Sequence, residues 1–261
     1  MKFYIRGGVG DFLQCFWFAK NNLNKEFIVH THFKQAESFF KDLGLEKSSF
    51  YYFNNIQEHD EQVDKILTDH GENSTANIRE CPRAFYSDIE FSEESKNKAE
   101  AFCERFKNKK PIIGIHPFGS GFSTDTYSKF NLPQKYIPSK IVKHIINDEY
   151  NYIIFGSKSE LDSYGLEESE NVLHTDMDIQ SCLELVKKCF KFIGTDSCFK
   201  TMSSMCRIPT YCILGDFQDE IRDQYFINQY ELDNVMHVCR IKDINKEQQK
   251  ILNFIILNFV K

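Results

Sequence analysis

No stretch of the 261-residue chain approaches the roughly 20 apolar residues that a membrane span requires. The first residues, MKFYIRGGVGD, also lack the apolar segment of a signal peptide. A cytoplasmic protein is the expectation. There are nine cysteines, at 15, 81, 103, 182, 189, 198, 206, 212 and 239, but no Cys-x-x-Cys pair. That excludes a zinc ribbon and a thioredoxin motif and points to free thiols in a reducing compartment. Nor is there an excess of positive charge. Lys and Arg number 32 against 38 Asp and Glu, for a net charge of −6, which argues against nucleic acid as a partner. The basic cluster RFKNKK at 105–110 is short and reads as a solvated linker. No G-K-[ST] follows GGVGD and no full G-x-G-x-x-G is formed, which counts against an NTPase or a dehydrogenase. No G-x-S-x-G elbow is present either.

What the chain does have is core-forming material. Hydrophobic residues make up 41% and there are 25 Phe, enough for one large domain or two lobes. KFYIR (2–6), EFIVHT (26–31) and SFYYF (49–53) read as buried strands, with helices expected over 11–23 and QAESFFKDLGL between them. Residues 54–92 are polar and weakly periodic, and loops, a short helix and an irregular strand are expected there. SEESKNKAEAFCERF (92–106) reads as a helix. After NKKP (108–111) come IIGIHPF, a Gly- and Ser-rich loop, a helix near 134–147, YNYIIFG, a helix from Lys158, NVLHT and a helix at 179–190. FKFIGT, a helix from Ser197 and TYCILG complete the series. Strand–helix alternation of this kind predicts an α/β protein with parallel sheets, its second half built on continuous apolar strands. The predicted division is a first lobe over 1–108, a second over 109–245, and a strongly apolar last helix over 246–261.

Open sheets of this type bind ligands beyond the carboxyl ends of their strands. Three loops therefore matter: GGVGD, HPFGSG and GTDS. In the first, Gly7, Gly8 and Gly10 permit a sharp turn and close approach. Asp11, at the start of the following helix, reads either as an N-cap or as a carboxylate facing a ligand. In the last, Asp196 and Ser197 stand where a strand gives way to a helix, a position suited equally to capping and to a phosphate.

GTDSCFKTMSSMCRIPTYCILG (194–215) resembles the signature of the heptosyltransferase-like glycosyltransferases, family nine, whose segment runs G-x-D-S/T-G-x-x-H before a Pro and a strand ending in Gly. IIGIHPFGSG with SKFNLPQKYI resembles that family's strand, P-G-A/S loop and K-x-W-P step. YIIFGSKSELD and VGDFLQ resemble two further family segments, in the same order, while residues 54–105 have no counterpart. The resemblance implies a GT-B architecture, two Rossmann-like lobes facing each other across a cleft, with the last helix packing back on the N-terminal, acceptor-side lobe. It implies an inverting, metal-independent glycosyltransferase that moves a sugar from a nucleotide-diphosphate donor to a glycan or other hydroxyl acceptor, without a cofactor.

Carried over by position, Asp11 becomes the general base. Gly10, Ser120, Asp196, Ser197 and Thr201 fall on the donor side. Lys129 would offset leaving-phosphate charge, and Glu160 would contact ribose or base. The chain departs from the family at Cys198, where a Gly is expected, at Thr201, where a His is expected, and at Leu132, in place of Trp. Two rivals keep much of this fold: a non-catalytic binder of sugar-nucleotides or glycans, and a nucleotide-sugar epimerase, for which His116 would be the needed second-lobe group. A glycosyltransferase acting on nucleic acid bases is a third, opposed by the acidic composition. Asp176-Met177-Asp178 spells the metal-binding D-x-D, but its place before IQSCLELVKKC fits helix capping.

Overall fold

The computed structural model describes residues 2–22, 25–45, 47–54, 56–70, 75–77, 86, 89–119, 136–175, 177–215, 224–243 and 246–259. They form two compact units, Met1–Ser92 and Glu93–Lys261.

In the first unit the strands are β1 (Lys2–Arg6), β2 (Glu26–Thr31), β3 (Ser48–Tyr52) and β4 (Thr75–Asn77), all parallel in the order β3-β2-β1-β4. The intervening helices are α1 (Val9–Lys20), α2 (Ala36–Asp42) and α3 (Ile56–His70). β2 is buried from Phe27 to Thr31, as a strand covered on both faces must be. Phenylalanines fill the space beside the sheet. The Phe12 ring meets Phe40 edge-on at 5.0 Å, and Phe39 lies 5.5 Å from Phe91. Such edge and tilted contacts suit rings whose faces are negative and edges positive.

The second unit opens with α4 (Glu93–Cys103), then β5 (Ile112–His116), α5 (Ser139–Ile145), β6 (Asn151–Ile154), α6 (Lys158–Tyr164) and β7 (Val172–His174). It continues with α7 (Ile179–Val186), β8 (Lys191–Thr195), α8 (Cys198–Met205), β9 (Thr210–Gly215), α9 (Gln224–Leu232), β10 (Met236–Ile241) and α10 (Gln248–Phe259). Its six parallel strands run β10-β9-β8-β5-β6-β7. Counted from β5, this is the doubly wound order of a Rossmann sheet, which reverses direction between β5 and β8. Ile113, Ile115, Ile154, Ile193 and Ile213 form one side of its core with Ile141 and Val142 of α5.

The structure adds detail at three places. The unit boundary falls at Ser92 rather than at 108, because α4 packs on α7 and buries Ala99 and Phe102. The ion pairs Lys98–Asp178, Lys188–Glu100 and Arg105–Glu168 border that contact. The last helix places Ile251 and Ile255 in the core of the second unit, against α5 and Tyr211. Residues 54–92, expected to hold loops, a short helix and an irregular strand, include the 15-residue α3 and the three-residue β4. No helix among the described residues is long and apolar enough to cross a membrane.

Candidate functional site

The first unit builds one site at the end of β1. Gly7 has φ +136°, a region that L side chains rarely adopt. A methyl group there would stand 2.1 Å from Oδ2 of Asp11, so the turn admits only glycine. Asp11 is the third residue of α1, not its cap, and its Oδ2 accepts the Gly8 N–H at 3.0 Å. The carboxylate is thus folded back over the turn at a helix start, where the dipole favours negative charge. Thr31 locks the turn from below: its hydroxyl donates to the Gly7 carbonyl at 2.7 Å and accepts the Phe33 N–H at 3.0 Å. His32, beyond the end of β2, lies against the same loop, its Cε1 3.4 Å from where a Gly8 side chain would begin. Partial burial lowers the His32 pKa, and the charge of Asp11 acts in the opposite direction. The imidazole and the carboxylate therefore sense each other. Gly10 lies within the first turn of α1.

The second unit builds another at the reversal of its strand order. His116 closes β5 and is paired in register with Gly194 of β8. Its Nδ1 lies 3.0 Å from the Ser197 hydroxyl, which also caps α8 by accepting the Lys200 N–H. Burial pulls the His116 pKa down to about 3, so the ring is neutral at pH 7 and its tautomer decides which atom donates. Asp196, half-buried, receives the Lys200 ammonium at 2.6 Å, although Lys200 itself is only 5% exposed. The Thr201 hydroxyl donates to the Ser197 carbonyl at 3.3 Å. Burial pushes the Cys198 thiol up to about 12, and the Glu160 charge acts in the same direction from the start of α6. Glu160 is also half of a capping box: its Oε2 accepts from the Ser157 N–H at 2.7 Å while Ser157 caps α6.

The structure therefore brings Asp196, Ser197, Thr201 and Glu160 together in one unit and sets Asp11 and Gly10 in the other. Ser120 and Lys129 lie outside the described residues, as do Leu132 and Asp176. Asp178 caps α7, accepting the Ser181 N–H at 2.8 Å, and pairs with Lys98. His116 is a structural histidine in the sense that it holds Ser197. Lys200 was not singled out from sequence; the available signal was a lone charge in CFKTMSSM, four residues after an acid. Among the described residues, no three His, Cys, Asp or Glu side chains converge as a metal site would require.

No family model matches the chain, and no curated protein does. Solved structures do match. A family 9 glycosyl transferase from Veillonella parvula superposes with a TM-score of 0.59 at 10% identity, over 96% of this chain and 88% of that one. The ADP-heptose LPS heptosyltransferase II of E. coli superposes with a TM-score of 0.57 at 13% identity, over the full length of both. The chain has the α/β fold of these glycosyltransferases, with a Rossmann-like sheet in each unit.

Proposed function

We propose that the protein is an inverting, metal-independent glycosyltransferase that moves a sugar from a nucleotide-diphosphate donor to an acceptor hydroxyl. The observation that carries the reading is Asp11 at the end of β1, its carboxylate folded over the Gly7 turn and accepting the Gly8 N–H. In the proposed reaction the acceptor oxygen attacks the anomeric carbon, the bond from that carbon to the diphosphate breaks, and the acceptor proton passes to Asp11. A single displacement inverts the anomeric centre. Positioned bases of this kind contribute about 10²–10⁴ in rate. The residues assigned to the donor are Asp196, Ser197, Thr201 and Gly10, with Glu160 for the ribose or base and Ser120 and Lys129 for the diphosphate. The amides at the start of α8, with Lys129, replace a divalent ion in stabilising the departing phosphates.

The test is incubation with UDP-, GDP- and ADP-sugars and a panel of sugar acceptors, reading nucleotide release and the anomeric configuration of the product. The expected result is release of a nucleoside diphosphate, undiminished by a chelator, with inversion. Retention of configuration overturns the role given to Asp11. A donor that binds but is never turned over supports instead the non-catalytic binder, the reading that Cys198 in place of a small glycine favours.

A further inference from the structure

His32 follows a strand end that is tied to the Gly7–Gly8 turn. The Gly7 N–H donates to the His30 carbonyl at 3.2 Å, and the Thr31 hydroxyl donates to the Gly7 carbonyl. The same hydroxyl accepts the Phe33 N–H, which curls the chain around His32. The two glycines of the turn therefore each have the side-chain position taken by an ionisable group. Asp11 fills that of Gly7, and His32 lies against that of Gly8, with Cε1 at 3.4 Å and Nε2 at 3.8 Å. His32 remains open to solvent, so a proton can reach it. Among the described residues, the charges acting on it are Asp11 from α1 and Lys34 from its own loop. Lys34 is engaged with Asn54 at 2.9 Å, and the end of β3 presents the uncharged Phe53 ring at 5.8 Å. Burial is the largest influence and sets the His32 pKa below 6.5, so the ring is neutral at pH 7 and charges in acid. A cation beside a carboxylate weakens it as a base.

We propose that His32 is a positioning residue that governs the base of the reaction. As a neutral imidazole it leaves the Asp11 carboxylate able to take the acceptor proton; as an imidazolium it pairs with that carboxylate and slows transfer. The controlling proton comes from solvent and returns to it, and only a ring N–H bond is made or broken. The proposal rests on the glycosyl-transfer reading above and deepens it by assigning the residue that sets the pH dependence of the base.

The test is the pH profile of kcat/KM, which reports groups of the free enzyme. It is read as nucleotide release from whichever of the UDP-, GDP- and ADP-sugars the wild type turns over, for wild type, His32→Gln and His32→Arg. The His32 titration is followed in parallel by NMR. In wild type the acid limb is expected to coincide with that titration. In His32→Gln the limb moves to lower pH, and His32→Arg, charged throughout, is about tenfold slower than His32→Gln at pH 7.5. Asp11→Asn lowers the His32 pKa by about 0.5 or more, because a neighbouring negative charge is lost. A purely structural His32 would move neither the limb nor that pKa. An unmoved limb in His32→Gln, equal rates in His32→Arg and His32→Gln, or an unshifted His32 pKa in Asp11→Asn overturns the proposal and leaves the glycosyl-transfer reading standing. No release by the wild type overturns both. Should a His32 variant fail to fold, wild type and Asp11→Asn decide alone. A shifted His32 pKa with a coincident wild-type limb then supports the proposal, and an unshifted pKa or a limb elsewhere overturns it.

Discussion

Gly7 and His116 are single residues on which the two sites depend, for opposite reasons. Gly7 is required because both its φ and the space beside its Cα are already committed, the latter to the Asp11 carboxylate. Gly7→Ala is expected to cost about 1–3 kcal/mol in urea unfolding, and to displace Asp11 so that donor turnover falls with it. His116 matters because it is buried in its neutral form. Its folded pKa of about 3 lies below the ordinary 6.5, so between those values the unfolded chain binds a proton that the folded chain does not. The sign follows: this contribution is intact above pH 6.5 and is lost as pH falls toward 3, by up to about 1.4 kcal/mol per pH unit. Unfolding at pH 7, 6 and 5 should show that slope, and His116→Gln should flatten it. The two turns, GGVGD and GTDS, were legible in sequence because glycine, a strand end and helical spacing are local signals. The burial of Lys200 was not, because it depends on what β8 and the neighbouring helices cover.

At the scale of elements, the misreadings have physical causes. The pattern of α3 is thin because a histidine occupies one of its core positions. His59 is 5% exposed and stacks on His30 at 4.7 Å and 3°, seven residues before the next deeply buried side chain, Ile66. A polar letter in a core place makes a helix look shorter to an apolar count than it is. β10 was missed for a related reason. MHVCRI lies at the sheet edge, where His237 and Arg240 are only partly buried, and His237 is stacked on Tyr211. The last helix was recognised as a helix, but periodicity does not name the surface that receives it. Its inner face is Ile251 and Ile255, both fully buried, whereas Leu257 is 64% exposed. Ile255→Ala should therefore cost about 2–5 kcal/mol, and Leu257→Ala no more than about 0.5 kcal/mol. Denaturant midpoints of the two variants check this directly.

For the whole molecule, the α/β class and the doubly wound second half followed from strand–helix alternation, while the domain boundary did not. NKKP has the composition of a linker, yet the chain changes units before it, since α4 gives Ala99 and Phe102 to the second unit. Exposed ion pairs such as Lys188–Glu100 add little to that docking; the apolar contacts carry it. A fragment of residues 93–261 should consequently unfold cooperatively. One of residues 109–261, lacking α4 and exposing α7, should be less stable by about 3 kcal/mol or more, the loss expected for an uncovered core phenylalanine. The central claim is that a carboxylate fixed at the end of β1 serves as the base in transfer of a sugar from a nucleotide. The measurement that bears on it most directly is nucleoside diphosphate release by wild type and by Asp11→Asn, with donor affinity determined for both. The account predicts release about 10²–10⁴-fold slower in the variant at unchanged donor affinity; equal rates in the two proteins would contradict it.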